Sequence, residues 1–136
     1  MRVILVHANR VSYRPADKGY EDADPSPESG ELENLVMAFV HVEKEDEERA
    51  GKVVTSLIKN IKWLCGKIGT RRVLLHSFAH LSKSKASPEF SREVLSKARE
   101  RLENVGYEVY ETPFGYFLDI TISMPGHSLG RIYKEF

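Results

Sequence analysis

The chain has 136 residues, 41% of them hydrophobic and 29% charged, with 20 basic residues balancing 20 acidic ones. That length supports one core and is too short for two full domains, and the composition excludes a disordered segment, so residues 1–136 are expected to form a single domain. A net charge of zero supplies no global positive field, so RNA would have to be met by a local patch or held by another domain.

Cys65 is the only cysteine, which excludes an internal disulfide and a cysteine-rich zinc site and fits a reducing compartment. No apolar run approaches the roughly 20 residues needed to cross a bilayer. Met1-Arg2-Val3-Ile4-Leu5-Val6 turns polar too soon for a signal peptide and reads as a strand, so a cytoplasmic protein with no membrane partner is expected.

Residues 2–8 are apolar on both faces and predict an interior strand. Asn9 to Glu33 is acidic and rich in breakers (Pro15, Gly19, Pro25, Pro27, Gly30). Val11-Ser12-Tyr13 reads as a short strand returning in a hairpin, and the rest as a long loop that covers something or moves. Leu35 to Val42 is a second buried strand. Residues 47–68 carry Val53, Val54, Leu57, Ile58, Ile61, Leu64, Cys65 and Ile68 at helical spacing, and Gly69 is the expected stop. The acidic run Glu45-Asp46-Glu47-Glu48 reads as the solvated start of that helix.

A strand over 72–78 follows. Ser87 then caps a second helix with Pro88 at its first position; Phe90, Val94, Ala98, Leu102 and Val105 point inward and Gly106 ends it. Strands at 107–111 and 116–124 complete the set, the latter alternating Tyr116, Leu118, Ile120 and Ile122 against Phe117, Asp119, Thr121 and Ser123. The expected fold is α/β: a mixed, curved sheet with two main helices on one face. The other face either curls into a half-barrel or pairs with a second subunit, and a homodimer is expected.

The chain has no Gly-x-Ser-x-Gly elbow, no phosphate loop and no dinucleotide fingerprint. Its five histidines lack His-Glu-x-x-His spacing, so no metal and no cofactor are expected. His80 follows a strand end and precedes the polar run Ser82–Ser87. It either orients a water or donates to an ester, as neutral imidazole can, or only fixes its own loop. His7 reads as a buried structural histidine, His41 and His76 as packing residues, His127 as part of a surface turn, and Cys65 as core. Lys83, Lys85 and Arg71-Arg72 are either phosphate contacts or solvated surface. Pro113-Phe114-Gly115-Tyr116 is either an ordinary turn or a place where Gly115 admits a ligand to the backbone, with flanking aromatics that could stack on adenine.

Four ordered blocks carry a resemblance: Met1 to His7, Met37 to Lys44, Phe78-Ala79-His80-Leu81-Ser82 and Pro113-Phe114-Gly115-Tyr116. Together with Ile122-Ser123 and Gly126-His127, they make nearly the full chain resemble the editing domain of archaeal threonyl-tRNA synthetase. That domain shares its fold with the D-aminoacyl-tRNA deacylases, whose Ser-Gln-Phe-Thr and Gly-Pro-Val-Thr blocks this chain lacks.

The resemblance implies hydrolysis of serine wrongly attached to the 3′ end of threonine tRNA, in association with the catalytic part of the synthetase. It implies a pocket lined by Val42, Phe78, Ala79, His80, Phe114, Tyr116 and Phe117, with the backbone of Gly115 and Phe117 and the His80 side chain at the chemistry. Where some members carry a second tyrosine and a lysine, this chain has Phe117 and Leu118. Without that lysine, the implied catalysis rests on backbone amides and on the 2′-hydroxyl of the terminal adenosine.

Overall fold

The computed structural model describes residues 1–136. Six strands and two helices follow one another as β1 (Arg2–Lys18), β2 (Gly30–His41), α1 (Ala50–Ile68), β3 (Arg72–Ser77), α2 (Pro88–Asn104), β4 (Glu108–Glu111), β5 (Tyr116–Ser123) and β6 (Arg131–Glu135). The sheet order is β4-β3-β2-β1-β5, and β6 pairs with the first part of β1. β2, β3 and β4 run parallel, so each step needs a crossover, supplied by α1 and α2.

Both helices lie on one face. Val53, Leu57, Ile61 and Leu64 of α1 and Val94, Ala98 and Leu102 of α2 share a core with Val3, Leu5, Val36, Ala38, Val73 and Leu75. Their caps follow the sequence. Ser87 Oγ accepts the Phe90 amide at 3.1 Å, and Gly69 ends α1 with φ +76°. Val105, expected inside, is half-exposed because α2 has already ended at Asn104.

The opposite face is buried without a helix. Val6, Ala8, Met37 and Leu74 are almost wholly covered there, with Ile4, Phe39, Leu118, Ile120 and Ile122 packed around them. The connectivity explains how. β4 and β5 stand at opposite ends of the strand order, yet only Thr112–Gly115 joins them. So short a link forces the sheet to curl until its two edges approach. Of the two expected alternatives for this face, the curl is what forms.

Three expectations need correction. Val11–Tyr13 is no returning strand: it continues β1, and the loop shrinks to residues 19–29. The break in the sequence pattern is real but local. Ala8 and Val11 on β1, and Leu32 and Leu35 on β2, face the same core at odd spacing, which a period-two strand allows only across an irregularity. Asn34, at φ +50°, marks that irregularity.

Strand β6 was not foreseen. The acidic run before α1 is a short 3-10 turn, and Asp46 within it is fully buried. Its carboxylate accepts the Met1 ammonium at 3.0 Å, Arg49 at 2.8 Å and the Glu43 amide at 2.8 Å. A buried carboxylate is tolerated when it is paired and fully hydrogen-bonded in this way.

Candidate functional site

The curl leaves a cavity of about 350 Å³ where the ends of β2 and β3 meet the β4–β5 link and the start of α2. Of the residues that the resemblance implies for the pocket, Val42, Ala79, His80, Phe114, Gly115, Tyr116 and Phe117 border this cavity. Phe78 does not. Its ring turns back to lie edge-on against Phe39 and His80, with centroids 5.3 and 5.0 Å away, so it supports the wall from behind. Leu118 also points elsewhere: it lies on the face of β5 opposite Phe117, half-buried in the second core.

The loop between β1 and β2 forms the outer wall. Gly19 N–H donates to the Gly115 carbonyl at 2.7 Å, Asp24 N–H to the Phe114 carbonyl at 3.1 Å, and the Tyr116 hydroxyl to the Asp24 carbonyl at 3.2 Å. Side chains of α2 hold the same strap. Arg92 donates to the Asp22 carbonyl at 3.0 Å and lies over the Phe114 ring, while the Tyr20 hydroxyl donates to Glu89 at 2.8 Å. That bond raises the Tyr20 pKa. The Glu89 carboxyl is held below its usual range first by its own backbone amide and then by Tyr20.

Gly115 has φ +85°, and a Cβ there would lie 2.7 Å from the Ala23 Cβ. The strap and the link can approach this closely only because that residue is glycine.

The site's polar groups are arranged by depth. His80, Lys85 and the half-exposed ring of Phe117 stand at the rim. His76 and Thr112, each 7% exposed, lie at the bottom, and His76 Nδ1 is 2.8 Å from Thr112 Oγ1. Burial, helped by the neighbouring His80, pushes the His76 pKa down to about 4. His76 is therefore neutral at pH 7 and borders the cavity, a placement the strand pattern did not reveal.

His41, also fully buried, organises the loop that carries His80. Its Nδ1 accepts the Leu81 amide at 2.9 Å and its Nε2 donates to the Ser84 carbonyl at 2.7 Å. In a loop already fixed in this way, His80 is not needed to fix its own backbone. The amides of Ala79, His80, Phe114 and Gly115 donate to no acceptor in the chain.

A larger cavity of about 750 Å³ lies behind the strap and shares Ser77, Thr112, Pro113 and Phe114 with the first. Its lining mixes Arg92 and Arg99 with Asp24, Glu28, Glu31 and Glu111 on open surface. The smaller cavity, with its buried polar floor, is the better-formed site. Cys65 is distant from both cavities; burial in the helical core pushes its thiol up to about 12, which rules it out as a nucleophile.

Residues 1–136 match a family described as the archaea-specific editing domain of threonyl-tRNA synthetase. The threonine–tRNA ligase of Thermococcus kodakarensis is 35% identical over 98% of this chain and 22% of its own length. That of Pyrococcus horikoshii is 33% identical over the same shares, and that of Methanopyrus kandleri is 29% identical over 98% and 22%. The chain thus spans about a fifth of the length of the curated relatives it matches. Among solved structures, a c-Myc DNA unwinding element binding protein superposes with a TM-score of 0.69, covering 100% of this chain and 99% of its own at 12% identity. That likeness concerns the fold alone. The chain belongs to the archaea-specific editing-domain family of threonyl-tRNA synthetase.

Proposed function

We propose that this member of the threonyl-tRNA synthetase editing-domain family hydrolyses the ester joining L-serine to the terminal adenosine of threonine tRNA. The need follows from physics. A synthetic site that accepts threonine discriminates against serine, one methyl smaller, by only about 1–3 kcal/mol, or roughly 10–200-fold. A second pocket too tight for the methyl completes the selection.

The observation that carries the reading is the cavity of about 350 Å³ bordered by Ala79, Phe114 and Gly115, in a chain of this family. Main chain braced from outside, as Gly115 of the β4–β5 link is by Gly19 and Ala23 of the strap, yields less to an extra carbon than a side chain would.

The reaction needs a water, a group to guide it and a home for the negative charge on the carbonyl oxygen. The unpartnered amides of Phe114 and Gly115 supply donors of the right kind for that charge. Leu118 cannot take a proton and points away from the cavity. The neighbouring 2′-hydroxyl of the terminal adenosine then positions the attacking water, with His80 in a supporting role at the rim. The Phe117 ring offers the adenine a stacking surface. The domain acts beside the catalytic part of the synthetase.

Single-turnover release of amino acid from threonine tRNA tests this reading. L-seryl ester should be cleaved at least about 100-fold faster than L-threonyl ester, and replacing the 2′-hydroxyl with hydrogen should cost more rate than His80→Ala. Cleavage of D-aminoacyl esters with every L-ester spared would make the protein a chirality-based deacylase. Tight tRNA binding with no release above the spontaneous rate would make it a binding module.

A further inference from the structure

We propose that His76, oriented by Thr112, is the specificity-determining contact for the hydroxyl of the aminoacyl group, so that the site selects for a hydroxylated side chain as well as for small size. This rests on the reading of the cavity as an aminoacyl-ester pocket and names what its floor recognises.

Depth assigns the two ends of the ligand. An aminoacyl adenosine has a broad flat end and a small polar end. The rim, with the exposed Phe117, His80 and Lys85, fits the broad end. Among the polar side chains bordering the cavity, only His76 and Thr112 are buried, and they form a pair. The small end of the ligand therefore meets an imidazole.

That imidazole has one nitrogen to offer. Nδ1 is engaged by Thr112 Oγ1 at 2.8 Å, and Nε2 has no partner in the chain. Arg2 Nε is the only sealed side-chain polar atom without a hydrogen bond, so His76 Nε2 is not sealed in the core, and the residue borders the cavity. The Phe39 ring, edge-on at 5.2 Å, and the Phe78 ring fix the plane of the imidazole.

A neutral ring suits this contact. It does not repel the substrate's ammonium group, and Nε2 either donates or accepts according to the tautomer. A serine hydroxyl can do both as well. The Thr112 hydroxyl adapts to either tautomer and holds the ring in place. An alanyl or glycyl ester has no group to satisfy Nε2, and an unpaired polar atom in a closed site carries a penalty.

The test compares seryl and alanyl esters of threonine tRNA in single-turnover assays of the wild type, Thr112→Val and Thr112→Ser. The wild type should prefer the seryl ester by at least tenfold. Thr112→Val keeps the shape and loses the hydroxyl, and should reduce that preference about tenfold, while Thr112→Ser should restore it. A preference unchanged in Thr112→Val, or lost in Thr112→Ser as well, overturns the assignment.

Binding gives a readout independent of turnover. On addition of a non-hydrolysable 3′-seryl-amino adenosine, the ¹⁵N resonance of His76 Nε2 should move by several ppm, and the 3′-alanyl analogue should leave it in place. Equal movement with both analogues, or none with either, sinks the proposal. If the seryl ester is cleaved or bound while the ratio and the resonance fail, only the role of His76 falls. If no aminoacyl adenosine binds and no ester is cleaved, the reading of the whole pocket falls with it.

Discussion

Two irregular segments are tied down onto the curled sheet by opposite means. The strap of residues 19–24 is held by main-chain hydrogen bonds to the β4–β5 link and by Arg92 and Tyr20 along α2. The turn of residues 124–130, which leads into β6, is held chiefly by a pair of imidazoles, His7 and His127, together with a bond from the His7 amide to the Gly130 carbonyl. The first fastening is spread over many bonds and depends on a glycine. The second is concentrated in two titratable rings. A pocket wall that must keep its dimensions gains from the first arrangement, because no single proton can release it.

The sharpest way to break the strap is Gly115→Ala. The new Cβ would lie 2.7 Å from the Ala23 Cβ and 3.0 Å from its Cα, and the residue would have to keep φ +85°. The left-handed conformation costs about 1–2 kcal/mol and overpacking about 1–3 kcal/mol, so urea unfolding should show a loss of about 2–5 kcal/mol. The wall should also move, lowering seryl-ester cleavage by at least about tenfold, since small displacements of a positioned site are expensive in rate. A variant with wild-type stability and rate would show that the strap is not built on this glycine.

Next in size is the acid response of the pocket floor. The His76 pKa falls from the ordinary 6.5 to about 4 in the folded protein, with burial as the main cause and His80 as the second. Below pH 6.5 the unfolded chain takes up a proton that the folded one refuses. Stability is therefore full above that pH and declines as pH falls toward 4, levelling off below it. At 1.36 kcal/mol per pH unit the whole loss is about 3 kcal/mol. Urea midpoints of the wild type and His76→Gln, compared at pH 7 and pH 4, should differ in their acid response by about that amount. An equal fall in both proteins would place the acid sensitivity elsewhere.

The same contrast shows what a sequence can disclose. Helix α1 was legible because its apolar stripe repeats at 3.6 residues, and α2 because Ser87 and Pro88 mark its start. Part of the cavity's border was legible too: the blocks at 78–82 and 113–116 supply Ala79, His80, Phe114, Gly115 and Tyr116. What escaped depends on contacts distant in sequence. Asp46 sits in a run that looks solvated, yet the ammonium of Met1 makes it a buried hub. Strand β6 has no two-faced apolar pattern: only Ile132 of its five residues is more than slightly covered. His76 looked like strand packing because its neighbours Leu74 and Leu75 are apolar, and nothing local reports that the curl opens a cavity beside it. Phe78, expected in the pocket from its block, does not border the cavity, because its ring packs edge-on against Phe39 and His80.

The smallest effect concerns the imidazole pair, and its sign follows from the hydrogen bonds. His127 Nδ1 accepts the Leu129 amide at 3.2 Å, so its proton sits on Nε2, which is 2.8 Å from His7 Nδ1. His127 donates, His7 accepts, and both rings must be neutral. A proton on His7 Nδ1 would face the N–H of His127. Burial, and then the neighbouring His127, accordingly lower the His7 pKa, so this clip is complete above pH 6.5 and is lost as pH falls through the folded value. Solvent reaches both rings, which limits the contribution to less than about 1 kcal/mol. His127→Ala should therefore lower the melting temperature by about 1–3 °C at pH 7.5, and by less once the pH has fallen through the lowered folded value of His7, where the wild type releases the clip. The Gly130 amide, bonded to the His127 carbonyl at 3.0 Å, should exchange faster in the variant at pH 7.5, while the Asp24 amide in the strap keeps its protection. A melting difference that grows as the pH falls, or strap amides that loosen together with Gly130, would mean that the two fastenings form one unit and do not differ in the way their chemistry implies.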